Sequence, residues 1–181
     1  RTGYTFAGWK VTSGLNTDTA KWGTTSSPTT AVTNTTVISD KGYVLNLTAT
    51  ANGSVTLTAQ WTANTNTAYK VEIYEMTVNG TYNSTATRTE NKTGTTDTTA
   101  SVVGTNYNKT GFTFDSGNAN NKLSGTILGD GSLKLKVYLS RNQYTLTLAK
   151  GTGIASVSGA GTYYYGKSVA IDATVSAGYT W

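Results

Sequence analysis

One tetrapeptide, Gly-aromatic-Thr-aromatic, stands at three places in this chain: Gly3-Tyr4-Thr5-Phe6, Gly111-Phe112-Thr113-Phe114 and Gly178-Tyr179-Thr180-Trp181. A second phrase stands at two: Gly53-Ser54-Val55-Thr56-Leu57-Thr58-Ala59-Gln60-Trp61 and Gly131-Ser132-Leu133-Lys134-Leu135-Lys136-Val137-Tyr138-Leu139. A chain that repeats itself at such intervals folds as a string of small units rather than as one large body. Units of about 60–80 residues bury only a marginal core, so neighbours or regular strand pairing must help.

The residue types point to strands. Threonine occurs 39 times, and Tyr, Val and 20 Gly accompany it, with a single proline, Pro28. Thr is β-branched and suits a pleated strand, and its hydroxyl keeps an exposed face wet without charge. Alternation is clearest at Leu133, Leu135, Val137 and Leu139, which face away from Ser132, Lys134, Lys136 and Tyr138. The same period runs through Val55–Trp61, Tyr69–Ile73, Tyr144–Leu148 and Val169–Val175. Asn52-Gly53, Asn79-Gly80 and Asp130-Gly131 are tight-turn signals, and Ala51-Asn52-Gly53 predicts a hairpin. A short helix is predicted near Asn16–Trp22, capped by Asn16 or Thr17. The expected fold is mainly β with little helix. Its modules are 1–62, lacking a first strand, a complete module over 63–142, and a partial one over 143–181. Abutting modules with short linkers predict an elongated rod.

Charge and missing residue types narrow the function. The net charge of +5 comes from 14 basic and 9 acidic residues without any Lys/Arg run, so it is no nucleic-acid footprint. No apolar run approaches the roughly 20 residues of a membrane-crossing helix, so membrane insertion is not expected. With neither Cys nor His, disulfides, thiolate chemistry and the commonest metal ligand are absent. No cofactor or metal is expected. Neither a signal peptide at Arg1 nor a sorting signal at Trp181 is visible, and the chain reads as a piece of a longer protein.

The phrases resemble a known family. Arg1-Thr-Gly-Tyr-Thr-Phe-Ala-Gly-Trp9, followed by Val55-Thr-Leu-Thr-Ala-Gln-Trp61, is similar to the Listeria–Bacteroides repeat, the internalin B-type B repeat. Tyr69–Tyr74, Gly111–Asp115 and Gly129–Tyr138 resemble a module often found beside it, and Tyr144–Trp181 resembles a divergent copy. The resemblance implies β-grasp-like modules in tandem, in secreted or wall-anchored bacterial proteins, serving as spacers or protein-interaction modules without catalysis.

The residues themselves offer little chemistry. Glu72 and Glu75 are three apart on a predicted strand and so point to opposite faces, unlike the facing carboxylates of a glycosidase. Asp115–Asn121 has oxygen ligands, but Gly117 and Thr126 fall where a calcium loop needs acidic groups, so an Asx-rich turn is expected. Tyr163, Tyr164 and Tyr165 form the most exposed-looking aromatic cluster. Tyr163 and Tyr165 share one strand face, and these three are the candidate binding residues, weighed against plain packing. Trp9, Trp22 and Trp61 are expected to anchor the first module's core. The leading expectation is a non-enzymatic stalk or interaction segment of a bacterial surface adhesin that spaces binding domains and contacts a host or matrix protein. The alternative is a carbohydrate-binding accessory module of a large extracellular enzyme. The incomplete end modules leave strand-mediated self-association open.

Overall fold

The computed structural model describes residues 1–39 and 41–180. The protein is mainly β, and its one helical element among the described residues is a single 3-10 turn at Gly104–Tyr107. Strand pairing joins partners within three stretches, 4–63, 67–141 and 143–175.

The first stretch contains β1 (Tyr4–Ser13), β2 (Lys21–Gly23), β3 (Thr30–Ala31), β4 (Val37–Ile38), β5 (Tyr43–Leu45) and β6 (Thr56–Ala63). They form two three-stranded antiparallel sheets, β4-β1-β6 and β3-β2-β5. Val11, Ala20, Val32 and Ile38 make the buried centre, with Leu15, Trp22, Leu47, Val55 and Leu57 packed around it. Three expectations change here. No helix forms near Asn16–Trp22. The Asn16 carbonyl accepts the Ala20 N–H at 3.0 Å and its side chain accepts the Asp18 N–H at 2.9 Å, which closes one turn. So short a helix would carry the full nucleation cost, whereas Lys21 and Trp22 gain strand partners on both sides. The Asn52-Gly53 turn forms, with the Gly53 N–H on the Thr50 carbonyl at 2.9 Å, but it makes no hairpin: β5 pairs with β2, and β6 with β1. Finally, only Trp22 packs on the core. Trp9 and Trp61 are each 39% exposed and lie edge-on to Phe6 at 5.4 and 5.3 Å. An extra residue in β1, beside Gly8, brings Phe6 onto the face of Trp9.

The second stretch contains β7 (Thr67–Glu75), β8 (Arg88–Gly94), β9 (Thr99–Ser101), β10 (Phe112–Phe114), β11 (Ser124–Thr126) and β12 (Lys134–Arg141). The main sheet runs β10-β12-β7-β8, with β7 and β12 parallel at its centre. In that order the first and last strands of the stretch stand side by side in the middle. Val71 and Ile73 stand beside Leu135 and Val137, and all four are fully buried. The opposite face is not left to solvent: Tyr74 stacks on Tyr138 at 4.5 Å, and Tyr82 meets Tyr138 edge-on at 5.0 Å. Both faces of the central pair are therefore covered, which is what parallel strands require.

The third stretch pairs β13 (Gln143–Leu146) with β15 (Gly161–Tyr164), and β14 (Ile154–Ser158) with β16 (Asp172–Val175). The alternation over Val169–Val175 yields a strand only from Asp172, and Ile171 is exposed. The chain divides into two compact units: Arg1–Thr67 with Thr93–Thr98 and Ile127–Gly131, and Ala68–Lys92 with Thr99–Thr126 and Ser132–Trp181.

Candidate functional site

The repeated tetrapeptide opens on the same turn each time. Gly3, Gly111 and Gly178 have φ of +79°, +79° and +86°. The following aromatic N–H turns back onto the carbonyl three residues earlier: Tyr4 on Arg1 at 3.1 Å, Phe112 on Lys109 at 2.8 Å and Tyr179 on Ser176 at 3.1 Å. That left-handed glycine sets the direction of the strand that follows.

In the first two copies the strand then pairs with the end of the second repeated phrase. Tyr4, Thr5 and Phe6 stand opposite Ala63, Thr62 and Trp61, and Phe112, Thr113 and Phe114 stand opposite Arg141, Ser140 and Leu139. Both pairs close on an asparagine. The Asn64 N–H donates to the Gly3 carbonyl at 2.9 Å, and the Thr5 hydroxyl donates to Asn64 Oδ1 at 2.7 Å. In the other copy, the Asn142 N–H donates to the Gly111 carbonyl at 2.9 Å and the Thr113 hydroxyl to Asn142 Oδ1 at 2.8 Å. Each asparagine carbonyl then accepts an N–H from a later part of the chain, Thr96 at 2.9 Å for Asn64 and Tyr165 at 2.8 Å for Asn142. The result is a three-bond clasp, made twice from different segments.

Each clasp has a close-packed floor. A Cβ on Gly3 would lie 2.3 Å from Gly129 Cα, and one on Gly111 would lie 2.0 Å from the Tyr165 ring. In these two copies the first aromatic also meets a cation from two positions before its glycine. The Arg1 guanidinium lies 3.7 Å from the Tyr4 ring centre, and the Lys109 ammonium lies 4.7 Å from that of Phe112. In the first clasp the Tyr4 hydroxyl also donates to Asp97, and the Thr96 hydroxyl to the Gly3 carbonyl at 2.8 Å. In the second, Arg141 lies over Phe112 at 4.5 Å and donates to the carbonyls of Met76 at 2.8 Å and Tyr165 at 2.7 Å. The third tetrapeptide has its turn, and a Cβ on Gly178 would meet nothing within 4 Å. Its last residue, Trp181, lies outside the described residues.

The three tyrosines singled out from the sequence sit beside the second clasp. The Tyr163 hydroxyl donates to the Gly159 carbonyl at 2.9 Å, Tyr164 lies against Gly80, and Tyr165 packs on Gly111 and meets Phe112 edge-on at 6.4 Å. Each ring has a neighbour in the fold, and Tyr163 and Tyr164 also line an open groove with Tyr144 and Lys167. Tyr165, which is 40% exposed, presents the most surface of the three. Glu72 and Glu75 lie on opposite faces, and each holds its own lysine, Lys134 at 2.9 Å and Lys109 at 2.6 Å. The Asp115 carboxylate accepts from Tyr82 at 3.0 Å and Asn118 at 3.4 Å, within an Asx-rich turn. Among the described residues no group of three His, Cys, Asp or Glu is placed to hold a metal.

The tyrosine layer has a pH signature. Burial, with the Glu72 carboxylate accepting its hydroxyl, pushes Tyr74 up to about 12. Burial and Asp115 push Tyr82 up further, and burial with the nearby Glu72 charge raises Tyr138. A raised phenol binds its proton more tightly in the folded state. Its contribution is complete below pH 10 and is lost as pH climbs toward 12, by about 3 kcal/mol for Tyr74 alone. Phenolate absorbance followed from pH 9 to 13 should show these tyrosines ionising late and together with unfolding. Ordinary titration centred near pH 10 in a folded chain would contradict the stack.

Sequence reasoning did not single out Asn64 and Asn142. A spacing could have found them, since each lies eleven residues beyond the glycine that opens the second repeated phrase. Comparison with family models, with curated proteins and with solved structures finds no match for this chain. The class defined by the fold and the clasps is a mainly-β chain of small open sheets, in which an asparagine twice ties a strand pair to a later segment.

Proposed function

We propose that this chain is a non-catalytic stalk or interaction segment of a secreted or wall-anchored bacterial surface protein, spacing binding domains and contacting a host or matrix protein. One observation carries the reading: the same three-bond clasp ties a repeat strand to a later segment twice, at Asn64 and at Asn142. A spacer needs joints that hold direction. A backbone-anchored asparagine over a left-handed glycine supplies one without disulfides or metals. The motif resemblance to Listeria–Bacteroides repeats supports the same setting. Small-angle scattering should give an elongated profile. A compact, near-spherical one would remove the spacer role.

A second reading, a carbohydrate-binding accessory module, is favoured by one open groove. Tyr69 and Tyr107 flank Glu90 there, with Arg88 at 2.7 Å and Lys92 at 3.1 Å from its carboxylate. Aromatic walls beside paired donors and acceptors suit a sugar. Glycan-array binding that Tyr107→Ala abolishes would promote this reading over the first.

A further inference from the structure

The two faces of the β10-β12-β7-β8 sheet carry different chemistry. Val71, Ile73, Leu135 and Val137 are buried on one of them. The alternate residues of the same two strands are Lys70, Glu72 and Tyr74 on β7, and Lys134, Lys136 and Tyr138 on β12. In the parallel register Lys70 stands beside Lys134, Glu72 beside Lys136 and Tyr74 beside Tyr138. The stacked tyrosines fill one end of this face, and three lysines with one glutamate occupy the other. Positions 70, 134 and 136 make no run in the sequence; strand pairing brings them together.

Charge at that end is not balanced. Both Glu72 oxygens are taken, one by Lys134 Nζ at 2.9 Å and the other by the Tyr74 hydroxyl at 2.9 Å. Neither Lys70 nor Lys136 makes an ion pair among the described residues. The Lys136 ammonium stands 5.8 Å from the Tyr74 ring centre. Like charges side by side on neighbouring strands oppose pairing, so Lys70 beside Lys134 weakens the central pair of the sheet. The rest of the face selects among anions. The lysines lie about 5 Å apart across the strands and about 7 Å apart along β12, on strands whose backbone groups are used in the ladder. Charges at such intervals suit a chain of anionic groups rather than one ion. An ammonium carries three donors in no fixed plane and matches tetrahedral oxyanions. The flat carboxylate is the partner of the forked guanidinium, and no arginine stands on this face of β7 or β12. On β8, Arg88, Glu90 and Lys92 turn to the Tyr69 side, so alternation puts the exposed Thr89 and Asn91 on the lysine side. A hydroxyl and an amide beside cations suit a ligand that carries hydroxyls as well as charge.

We propose that this face binds a sulfated glycan, laid across β12, β7 and β8 with its sulfate groups on Lys70, Lys134 and Lys136 and its sugar hydroxyls on Thr89 and Asn91. A sulfate between Lys70 and Lys134 neutralises the two charges that the sheet holds side by side. The site lies on the opposite face of the sheet from the Tyr69–Tyr107 groove, and it needs no elongated shape. It stands or falls apart from both readings above.

The test is a titration of the whole chain with a heparin-derived hexasaccharide, followed by amide and lysine side-chain NMR at low salt and at about 0.15 M salt. Saturable binding is expected, weaker at the higher salt, with shifts concentrated on Lys70, Lys134, Lys136, Thr89 and Asn91. The same hexasaccharide stripped of its sulfates should bind at least about tenfold more weakly, a control that does not depend on any variant folding. Lys70→Gln combined with Lys136→Gln should weaken binding by about tenfold or more. Lys70→Gln alone should leave the unfolding midpoint unchanged or raise it, because a like-charged neighbour is gone. Absence of saturable binding, equal binding of the desulfated sugar, unchanged affinity of the double variant, or shifts centred on Arg88 and Lys92 instead would each overturn the proposal. So would equal or tighter binding of a polyglutamate peptide or a single-stranded DNA oligomer of matched charge, since the occupant would then be another polyanion.

Discussion

Leu135→Ala is expected to destabilise the four-stranded sheet by about 3–4 kcal/mol, in the range for removing a fully buried leucine and leaving a cavity. Leu135 is completely enclosed, stands beside Val71 in the parallel pair, and is one of three inward residues on β12, with Val137 and Leu139. Close packing on both faces of the sheet leaves little room for collapse into the void, because the tyrosine layer fixes the opposite side. With total stabilities of about 5–15 kcal/mol, that is a large fraction of what holds such a domain. Denaturant unfolding read at the amides of β7 and β12 should show a lower midpoint with an unchanged slope. Val103→Ala, at an exposed site, should move the same midpoint by less than about 0.5 kcal/mol. Equal effects of the two substitutions would mean that β12 is not the centre of the core.

The second large effect concerns the glycines, because three copies of one phrase differ only in what surrounds them. Gly178→Ala meets open space and should cost about 1 kcal/mol, the penalty of a left-handed backbone for a residue with a Cβ. Gly111→Ala carries the same backbone penalty and also drives its methyl into the Tyr165 ring, adding about 1–3 kcal/mol of overpacking. Gly3→Ala meets backbone at Gly129, which cannot rotate away as a ring can, and should equal or exceed Gly111→Ala. Thermal or denaturant unfolding of the three variants separates the terms. Three equal losses would show that the first two glycines recur in the phrase only for their φ, and that no tight floor lies beneath the clasps.

The strands with strict period-two alternation were legible from the sequence, Leu133–Leu139 above all, because each inward side chain announces its own face. Pairing was not. The Asn52-Gly53 turn is a local feature and forms as read, yet its flanking strands find partners far along the chain, and no short-range rule fixes that choice. Tyr138 sat on the face read as polar, and its burial depends on Tyr74 arriving from a parallel strand. Size and hydrophobicity put Trp9 and Trp61 in the core, yet both are 39% exposed and pack edge-on against Phe6. At the candidate site, Tyr163–Tyr165 are legible as aromatics, whereas their contacts with Gly159, Gly80 and Gly111 are not. Asn64 and Asn142 are not legible, because their side chains look like any others in an Asn-rich chain. What distinguishes them is a backbone N–H and C=O at a fixed offset, which only the paired strands bring into register.

The most direct measurement is native-state hydrogen exchange at four amides: Asn64 and Thr96 of the first clasp, Asn142 and Tyr165 of the second. If the clasps hold adjoining segments together, these amides should open with free energies close to those of the strands they tie, β6 and β12, rather than as loose connections. Exchange at the rate of an unstructured peptide at these positions, while β12 stays protected, would show that the segments are merely adjacent in the chain and that no clasp joins them.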